Sequence, residues 1–553
     1  MSNGLSGVDL MGVLPMVLLV LGGITCLFLE VFQRPSRPRT YIAPVAATAF
    51  ALAGWLALRL ATVDATWTFH GTAVLDSYGA LMTAILCMGG VLTSLMAPAY
   101  LARSGVDRGE FYALLLFAGA GMSIMVSSSD LMVIFLGLEI QSVCAYALAG
   151  YLRGSSTSAE AGIKYFIMGA VASAIFLYGA AMLYGATGST FLPAIAESLH
   201  AQSGLSPSAA ADRALHGVLA AAQGVDPAGL AAQWGHRGSA VPLPAIGALL
   251  VLLAFASKIA LFPFHGWAPD AYSGAPTAAS GFLAATVKAA GVATLARILF
   301  TALWGPEARF GEFGWTEVVM WLSLLSMVVG NLTALLQTSI KRMLAWSSVA
   351  HAGYMFAALA AAGAPGGSPD VVASIVLHTF AYTLSTVGAF GLLAWFHRDG
   401  LDVEQVEDLN DLAASHPWAA GTMAVFMLSA AGFPGTAGFI SKFWLFSGVA
   451  GAAHGEYTSA FVILVVVGLL SSVVGAAYYF RLIVHMYGRR ARREISADGL
   501  PMSRLAIIVA AVLTVWFGLV PGQMSDLATD AAASMLGRAD GGYESPSDRG
   551  ETP

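Results

Sequence analysis

Residues 249–267 read LLVLLAFASKIALFPFHGW. The run is apolar on both sides of Lys258, and a bilayer span needs about 20 mostly apolar residues. A charge in hydrocarbon costs at least ~2.5–3.5 kcal/mol, so such residues face a bundle interior or a wet cavity. Pro263 then interrupts the helix, because it lacks an N–H and its ring clashes with the carbonyl of Ile259. Broken backbone at membrane depth survives only where protein buries it or where it lines water. A buried cation beside a broken helix therefore predicts a polytopic all-α membrane protein with a polar path through its interior.

Three further stretches repeat the pattern. Glu139 lies in SSSDLMVIFLGLEIQSVCAYALAG (127–150), nine residues from Asp130 and so near mid-membrane at about 1.5 Å per residue. Lys288 lies in GFLAATVKAAGVATLA (281–296), twelve residues past Pro276 and too deep to snorkel easily. Lys442 follows Gly432, Pro434, Gly435 and Gly438 in AGFPGTAGFISKFWLF (431–446), a second predicted break. Intramembrane charges in this number point to a proton or ion pathway.

The composition agrees. The 553-residue chain is 57% hydrophobic and only 10% charged, against about 25% charged in soluble domains. Mean hydropathy is +0.74, and a net charge of -6 gives no sign of nucleic-acid binding. Cys26, Cys87 and Cys144 sit singly in apolar runs, which leaves disulfide, zinc and iron–sulfur chemistry unsupported. No glycine-rich dinucleotide fingerprint follows a strand-like segment. The expectation is a chain with no cofactor or metal of its own.

Apolar runs predict about 14 transmembrane helices: 10–33, 41–63, 78–101, 111–128, 130–151, 160–187, 243–263, 276–302, 315–337, 342–363, 370–396, 417–449, 457–486 and 503–523. The first lacks a basic leader region and a small-residue cleavage site, so it reads as a retained helix. Residues 190–240 form a polar insertion at the surface, and 538–553 read as a disordered tail. The two interrupted spans occupy corresponding places, which suggests two inverted five-helix repeats, each with a broken helix. The predicted units are helices 1–3 (1–110), a first repeat of helices 4–8 (111–302), a second repeat of helices 9–13 (303–487), and helix 14 with the tail (488–553).

Lys and Arg placement sets the expected orientation. With the N-terminus outside, the inner connections hold Arg34, Arg37, Arg39, Arg103, Arg108, Arg153, Lys341, Arg342, Arg398, Arg489, Arg490, Arg492, Arg493 and Arg504. The outer connections and tail hold only Arg213, Arg237, Arg309, Arg538 and Arg549, so both termini are expected outside a plasma (inner) membrane.

Weaker features complete the pattern. Lys164 lies about a turn inside its span, where snorkelling competes with a buried role. Ser347, His351 and Tyr354 share one helix face, as do His378, Tyr382 and Ser385. Such stripes suit either a hydrogen-bonded water chain or ordinary interhelical contacts. His265, near Trp267 and Pro269, reads as part of an interfacial loop.

The stretches at 127–151 and 431–446, together with SAEAGIKYFIMGAVASAIFLYGAAMLYGATG (158–188), FASKIALFPFHGWAPDAYSGAPT (255–277) and GNLTALLQTSIKRMLAWSSVAHAGYM (330–355), resemble the subunit N family of bacterial respiratory complex I, NADH-quinone oxidoreductase. This family belongs to the antiporter-like membrane subunits, and the resemblance runs from roughly 75 to 490. It implies that Glu139 pairs with Lys258, that Lys288 links inward, and that Lys442 connects to the outer face. The lysines at 288 and 442, and the absence of a lysine from 371–390, resemble subunit N more than its relatives L and M. The insertion at 190–240 is longer than the family's connection. The lateral helix that marks subunit L is expected to be absent, because the chain ends soon after the fourteenth span.

The resemblance further implies proton translocation driven by quinone reduction elsewhere in the complex. NADH, FMN, iron–sulfur clusters and quinone then belong to partner subunits, and the partners are the other membrane subunits, antiporter-like and quinone-site, within the lipid bilayer. A cation/proton antiporter subunit and the membrane part of a hydrogenase-type complex are the alternatives.

Overall fold

A computed structural model describes residues 7–33, 39, 41–63, 65–203, 243–305, 309, 314–365, 367–398, 400–490, 495–497 and 499–540. Among these, twelve helices are long and apolar enough to cross a bilayer. They are α1 (Gly7–Val31), α2 (Ile42–Leu60), α3 (Ser77–Arg103), α4 (Gly109–Ser127), α5 (Leu131–Ala149), α6 (Ser156–Thr187), α10 (Thr277–Thr301), α11 (Trp315–Leu335), α12 (Ile340–Gly363), α13 (Pro369–Trp395), α16 (Thr458–Gly488) and α17 (Pro501–Leu519). Two more segments are each split into a helix pair: α8 (Leu243–Ile259) with α9 (Trp267–Gly274), and α14 (Pro417–Ala431) with α15 (Ala437–Gly451). Each predicted span corresponds to one of these single or split segments.

Polar side chains set several helix starts. Asp76 accepts from Gly79 N at 2.8 Å at the head of α3. Asp130 accepts from Met132 N and Val133 N at 2.8 and 3.2 Å at the head of α5. Each satisfies amide donors that have no partner within the helix. The most apolar stretches of α10 and α13 are completely buried, so these two helices form the axis of the bundle. α3, α4 and α12 surround them, while α1, α2, α6, α16 and α17 present apolar faces outward.

Both predicted breaks are present, but the first has a different origin from the one expected. α8 stops at Ile259, Ala260 takes a left-handed conformation at φ 62°, and Leu261 N donates to Ala256 O at 2.9 Å. The chain has therefore left the helix before the Pro263 ring could clash with it. At the second break Gly432 takes φ 85°, and both Gly432 N and Phe433 N bond back to Leu428 O. A glycine supports this conformation without strain. At Gly438 a Cβ would lie 1.9 Å from Ser429 O, so only glycine allows α15 to return this close to α14.

The ends of the bundle hold structure the sequence did not announce. The insertion begins with α7 (Leu192–Ser203), and the remainder up to 242 lies outside the described residues. Short strands β1 (Thr66–Thr68) and β2 (Ala73–Leu75) form an antiparallel hairpin before α3. β3 (Phe396–Arg398) pairs antiparallel with β4 (Leu401–Asp402) and with β5 (Ser496–Ala497).

The expected disordered tail is also corrected at its start. A final helix, α18 (Gly522–Asp540), follows the last span, and 541–553 lie outside the described residues. Its buried residues Met524, Ala528, Ala531, Ala532 and Met535 recur at helical spacing, and it lies against α3, α10 and α13.

Candidate functional site: a buried line of lysines and histidines

Lys258 ends α8 at the break, with 7% of its surface exposed. Its ammonium donates to Ser142 Oγ and Tyr146 Oη, each at 2.8 Å. Both acceptors are on α5, one and two turns beyond Glu139. Glu139 itself makes no ion pair with Lys258 within 4.0 Å, so the two side chains act on each other through space and not by a direct contact. Glu139 Oε1 is buried without a hydrogen bond, while the neighbouring Leu136, Ile140 and Val143 are exposed. The carboxylate therefore sits at the margin of the bundle and not on its axis.

A stack of aromatic rings fills the space between Lys258 and the next lysine. Tyr146 meets Tyr165 edge-on at 4.9 Å, and Tyr165 lies flat on Trp267 at 4.3 Å between ring centroids. Trp267 in turn meets Tyr272 at 5.7 Å, and the Lys288 ammonium lies 5.9 Å from the Tyr272 ring centre. Trp267 and Tyr272 belong to α9, so the helix break is what places this aromatic wall. Lys288 is fully buried in α10 and donates to Ser348 Oγ at 2.7 Å. Ser348, one residue off the predicted stripe of Ser347, His351 and Tyr354, is the contact. Ser347 Oγ returns to Leu344 O of its own helix.

The two polar stripes predicted on α12 and α13 are one network. His351 Nδ1 lies 3.1 Å from His378 Nε2, His351 Nε2 lies 3.2 Å from Tyr479 Oη, and His378 Nδ1 lies 3.1 Å from Ser441 Oγ. Ser441 donates its hydroxyl proton to Gly438 O at 3.1 Å. It therefore accepts from His378 Nδ1–H, which leaves His378 Nε2 to accept from His351 Nδ1–H and His351 Nε2 to accept from Tyr479. Both rings are neutral in this assignment, and the chain of donors runs one way towards α15. The Tyr382 ring packs against both imidazoles.

Lys442 follows Ser441 on α15 and is 7% exposed. Its ammonium donates to Ala430 O at 2.8 Å, Ala431 O at 3.3 Å and Ser472 Oγ at 3.1 Å, and lies 5.1 Å from the Tyr354 ring centre. The two carbonyls are at the end of α14, freed by the break. A cation there complements the helix dipole as well as the open acceptors. Tyr354 Oη accepts from Asn331, which accepts in turn from Tyr478 Oη at 3.0 Å.

Lys164 and His265 lie apart from this line. Lys164 is 42% exposed and pairs with Glu160 and Asp270, each at 2.6 Å, while Arg342 holds the other oxygen of Asp270 at 2.7 Å. His265 stacks against Phe262 and Trp346 within the first break, its Nδ1 buried without a partner.

Two cation sites were missed altogether. Arg297 on α10 grips Asp76 with two hydrogen bonds, 2.8 and 2.9 Å, and both side chains are almost completely buried. Lys341 and Arg103, expected as anchors in loops, are buried against Asp402, with Lys341 Nζ 2.9 Å from Oδ2. Tyr100 and Thr277 also donate to Asp402. Burial alone would raise the Asp402 carboxyl, but Lys341, Thr277 and Tyr100 together hold it below the usual aspartate range. These two sites form ion pairs. By contrast, the ammonium groups of Lys258, Lys288 and Lys442 meet only neutral oxygens.

The family described as NADH:quinone oxidoreductase/Mrp antiporter, TM, matches residues 128–470, which contain Glu139, Lys258, Lys288, His351, His378 and Lys442. The NADH-quinone oxidoreductase subunit N 1 of Sorangium cellulosum is 41% identical over 459 residues, covering 81% of either chain. Subunit N of Myxococcus xanthus is 35% identical, covering 97% of this chain and 99% of the relative. A chain of respiratory complex I from Thermus thermophilus with bound aureothin superposes with a TM-score of 0.70 at 30% identity, covering 93% of this chain and 99% of that one. A chain of the Mrp complex from Dietzia sp. shares the fold, with a TM-score of 0.72 at 20% identity, covering 95% of this chain and 98% of that one. The chain belongs to the subunit N family of NADH-quinone oxidoreductases, the antiporter-like membrane subunits of respiratory complex I.

Proposed function

We propose that Glu139, Lys258, Lys288, His351, His378 and Lys442 carry the protons that this membrane subunit of complex I moves across the bilayer. The partners are the other membrane subunits. Quinone reduction takes place among them, and this chain contributes no redox step. NADH, FMN, iron–sulfur clusters and quinone belong to other subunits of the complex.

One observation carries the reading: the chain neutralises Arg297 and Lys341 with carboxylates but gives its three axial lysines neutral acceptors only. No carboxylate hydrogen-bonds these three ammonium groups, so no direct ion pair locks them in the charged form as Asp76 holds Arg297 and Asp402 holds Lys341. The serine, tyrosine and carbonyl oxygens around each lysine still accept a hydrogen bond from the neutral amine. Each lysine is therefore stable enough in both states to receive and release a proton. Glu139, at the bundle margin near Lys258, would favour the charged lysine when ionised and release it when neutralised. Lys164 contributes to surface ion pairing in this reading.

The placement of the breaks supports two inverted repeats, helices 4–8 and 9–13 in order of crossing, each contributing one split helix to the axis. Arginine and lysine near Arg103, Arg153, Arg342, Arg398 and Arg489 support an inner-membrane orientation with that end inside and both termini outside.

The test is proton uptake against NADH oxidation in sealed vesicles holding the assembled complex with Lys288→Met. Methionine fills the site without a titratable group. Fewer protons per electron at normal assembly is the expected result, and an unchanged ratio would overturn the assignment.

A further inference from the structure

The buried line ends at His378 and Lys442, and neither faces the outer water directly. A cavity of about 500 Å³ opens at the end of the seam between α13 and α15 that the proposed orientation puts outside, lined among others by Ser368, Asp370, Val371, Ser447, Gly448 and Gly451. It lies away from the Lys442 ammonium, which points towards α14 and α16. Asp370, Ser374 and His378 succeed one another at four-residue spacing along α13, which carries them about 12 Å from the relay to the cavity. Ser374 is completely buried, and its hydroxyl donates to Val371 O at 2.6 Å.

We propose that protons leave the buried line from His378 along this seam, past Ser374, and enter the outer cavity, where Asp370 takes them up. The proposal rests on the reading of His351, His378 and Lys442 as proton carriers. A protonated His378 gives up one proton and returns to the neutral ring. The Asp370 carboxylate accepts it and releases it to outer water, so each group is restored.

Val371 and Gly448 approach closely across the seam. A Cβ on Gly448 would lie 3.1 and 3.3 Å from the two Val371 methyls, so a side chain there would press on Val371. Gly451 is different: a Cβ there meets nothing within 4 Å. A larger residue at 451 fills the cavity without disturbing the fold.

The experiment compares Gly451→Leu, Asp370→Asn and Lys288→Met in the assembled complex, reading protons moved per electron. Ser447→Cys is added, treated from the outer side with a membrane-impermeant cationic thiol reagent; Cys26, Cys87 and Cys144 are buried. The expected result is loss of this subunit's share of proton transfer in Gly451→Leu and Asp370→Asn, with labelling and the same loss in Ser447→Cys. If Lys288→Met fails to pump while the cavity variants, including Ser447→Cys after full labelling, pump normally, the exit proposal alone falls. No labelling of Ser447→Cys from outside would overturn it as well. A normal ratio in Lys288→Met would instead overturn the underlying proton line.

Discussion

His351 Nδ1 and His378 Nε2 lie 3.1 Å apart, joining α12 to α13 through two neutral imidazoles. The same pair reaches Tyr479 on one side and Ser441 on the other, so four helices meet at one relay.

His378→Gln tests whether that relay moves protons or only braces helices. Glutamine can bridge His351 and Ser441 but cannot carry a proton at neutral pH. Pumping should fall about tenfold or more through this subunit, since ~1.4 kcal/mol lost at a limiting transfer is already tenfold. Native gels measure assembly, and proton uptake per electron measures the loss. Full pumping in an assembled His378→Gln complex would reduce the pair to a structural contact.

Lys442→Arg separates charge from proton exchange. A guanidinium keeps donors for Ala430 O, Ala431 O and Ser472, and keeps the charge at the end of α14. It does not release its proton in proteins. The variant should assemble better than Lys442→Met yet pump no better. Pumping at the parent level in Lys442→Arg would show that only the charge is needed.

Lys258→Ala should impair pumping more than Glu139→Ala. The alanine at 258 deletes the carrier and leaves Ser142 and Tyr146, neighbours on α5, without their shared donor. Removing Glu139 leaves the carrier with both acceptors, because the two side chains do not touch. Side-by-side proton uptake in the two variants, corrected for assembly, gives the order.

Arg297→Ala leaves Asp76 as an uncompensated buried charge, which costs about 3–5 kcal/mol. The subunit should be scarce in the membrane and melt earlier in detergent. Asp76→Asn combined with Arg297→Met removes both charges and should recover part of the loss. Equal thermal stability of Arg297→Ala and the parent would show the pair to be inert.

Asp402 predicts an acid limb. Its folded pKa is held below the usual aspartate value of 3.8. The stabilisation is therefore present above that value and is lost as pH falls through the depressed folded value. Thermal melts of the parent and Asp402→Asn should differ most near neutrality and converge in acid below the usual aspartate pKa. A gap that stays constant down the acid range would show that the carboxylate's ionisation does not matter.

Much of this protein was legible as sequence. Apolar run length set the spans, since every backbone polar group in lipid must be satisfied within a helix. Lys258, Lys288 and Lys442 were conspicuous because a charge in such a run needs a protein interior around it. The glycines at 432, 435 and 438 marked the second break because each local conformation or close approach depends on the missing side chain.

Partners were decided only by the tertiary structure. Hydroxyl groups are common in membrane helices, and periodicity places Ser347 and Ser348 about 100° apart without showing which neighbouring helix supplies the partner of either. Lys258 meets Ser142 and Tyr146, and not Glu139, because α5 presents its hydroxyl face to the end of α8. Arg297 reads as an ordinary arginine near a helix end until α3 brings Asp76 against it, 221 residues away in the chain. The sequence by itself determined which segments enter the membrane and which carry charge, because those are costs each segment bears alone. Which charges are neutralised and which are left to exchange protons depends on distances between helices, and those exist only once the bundle is packed.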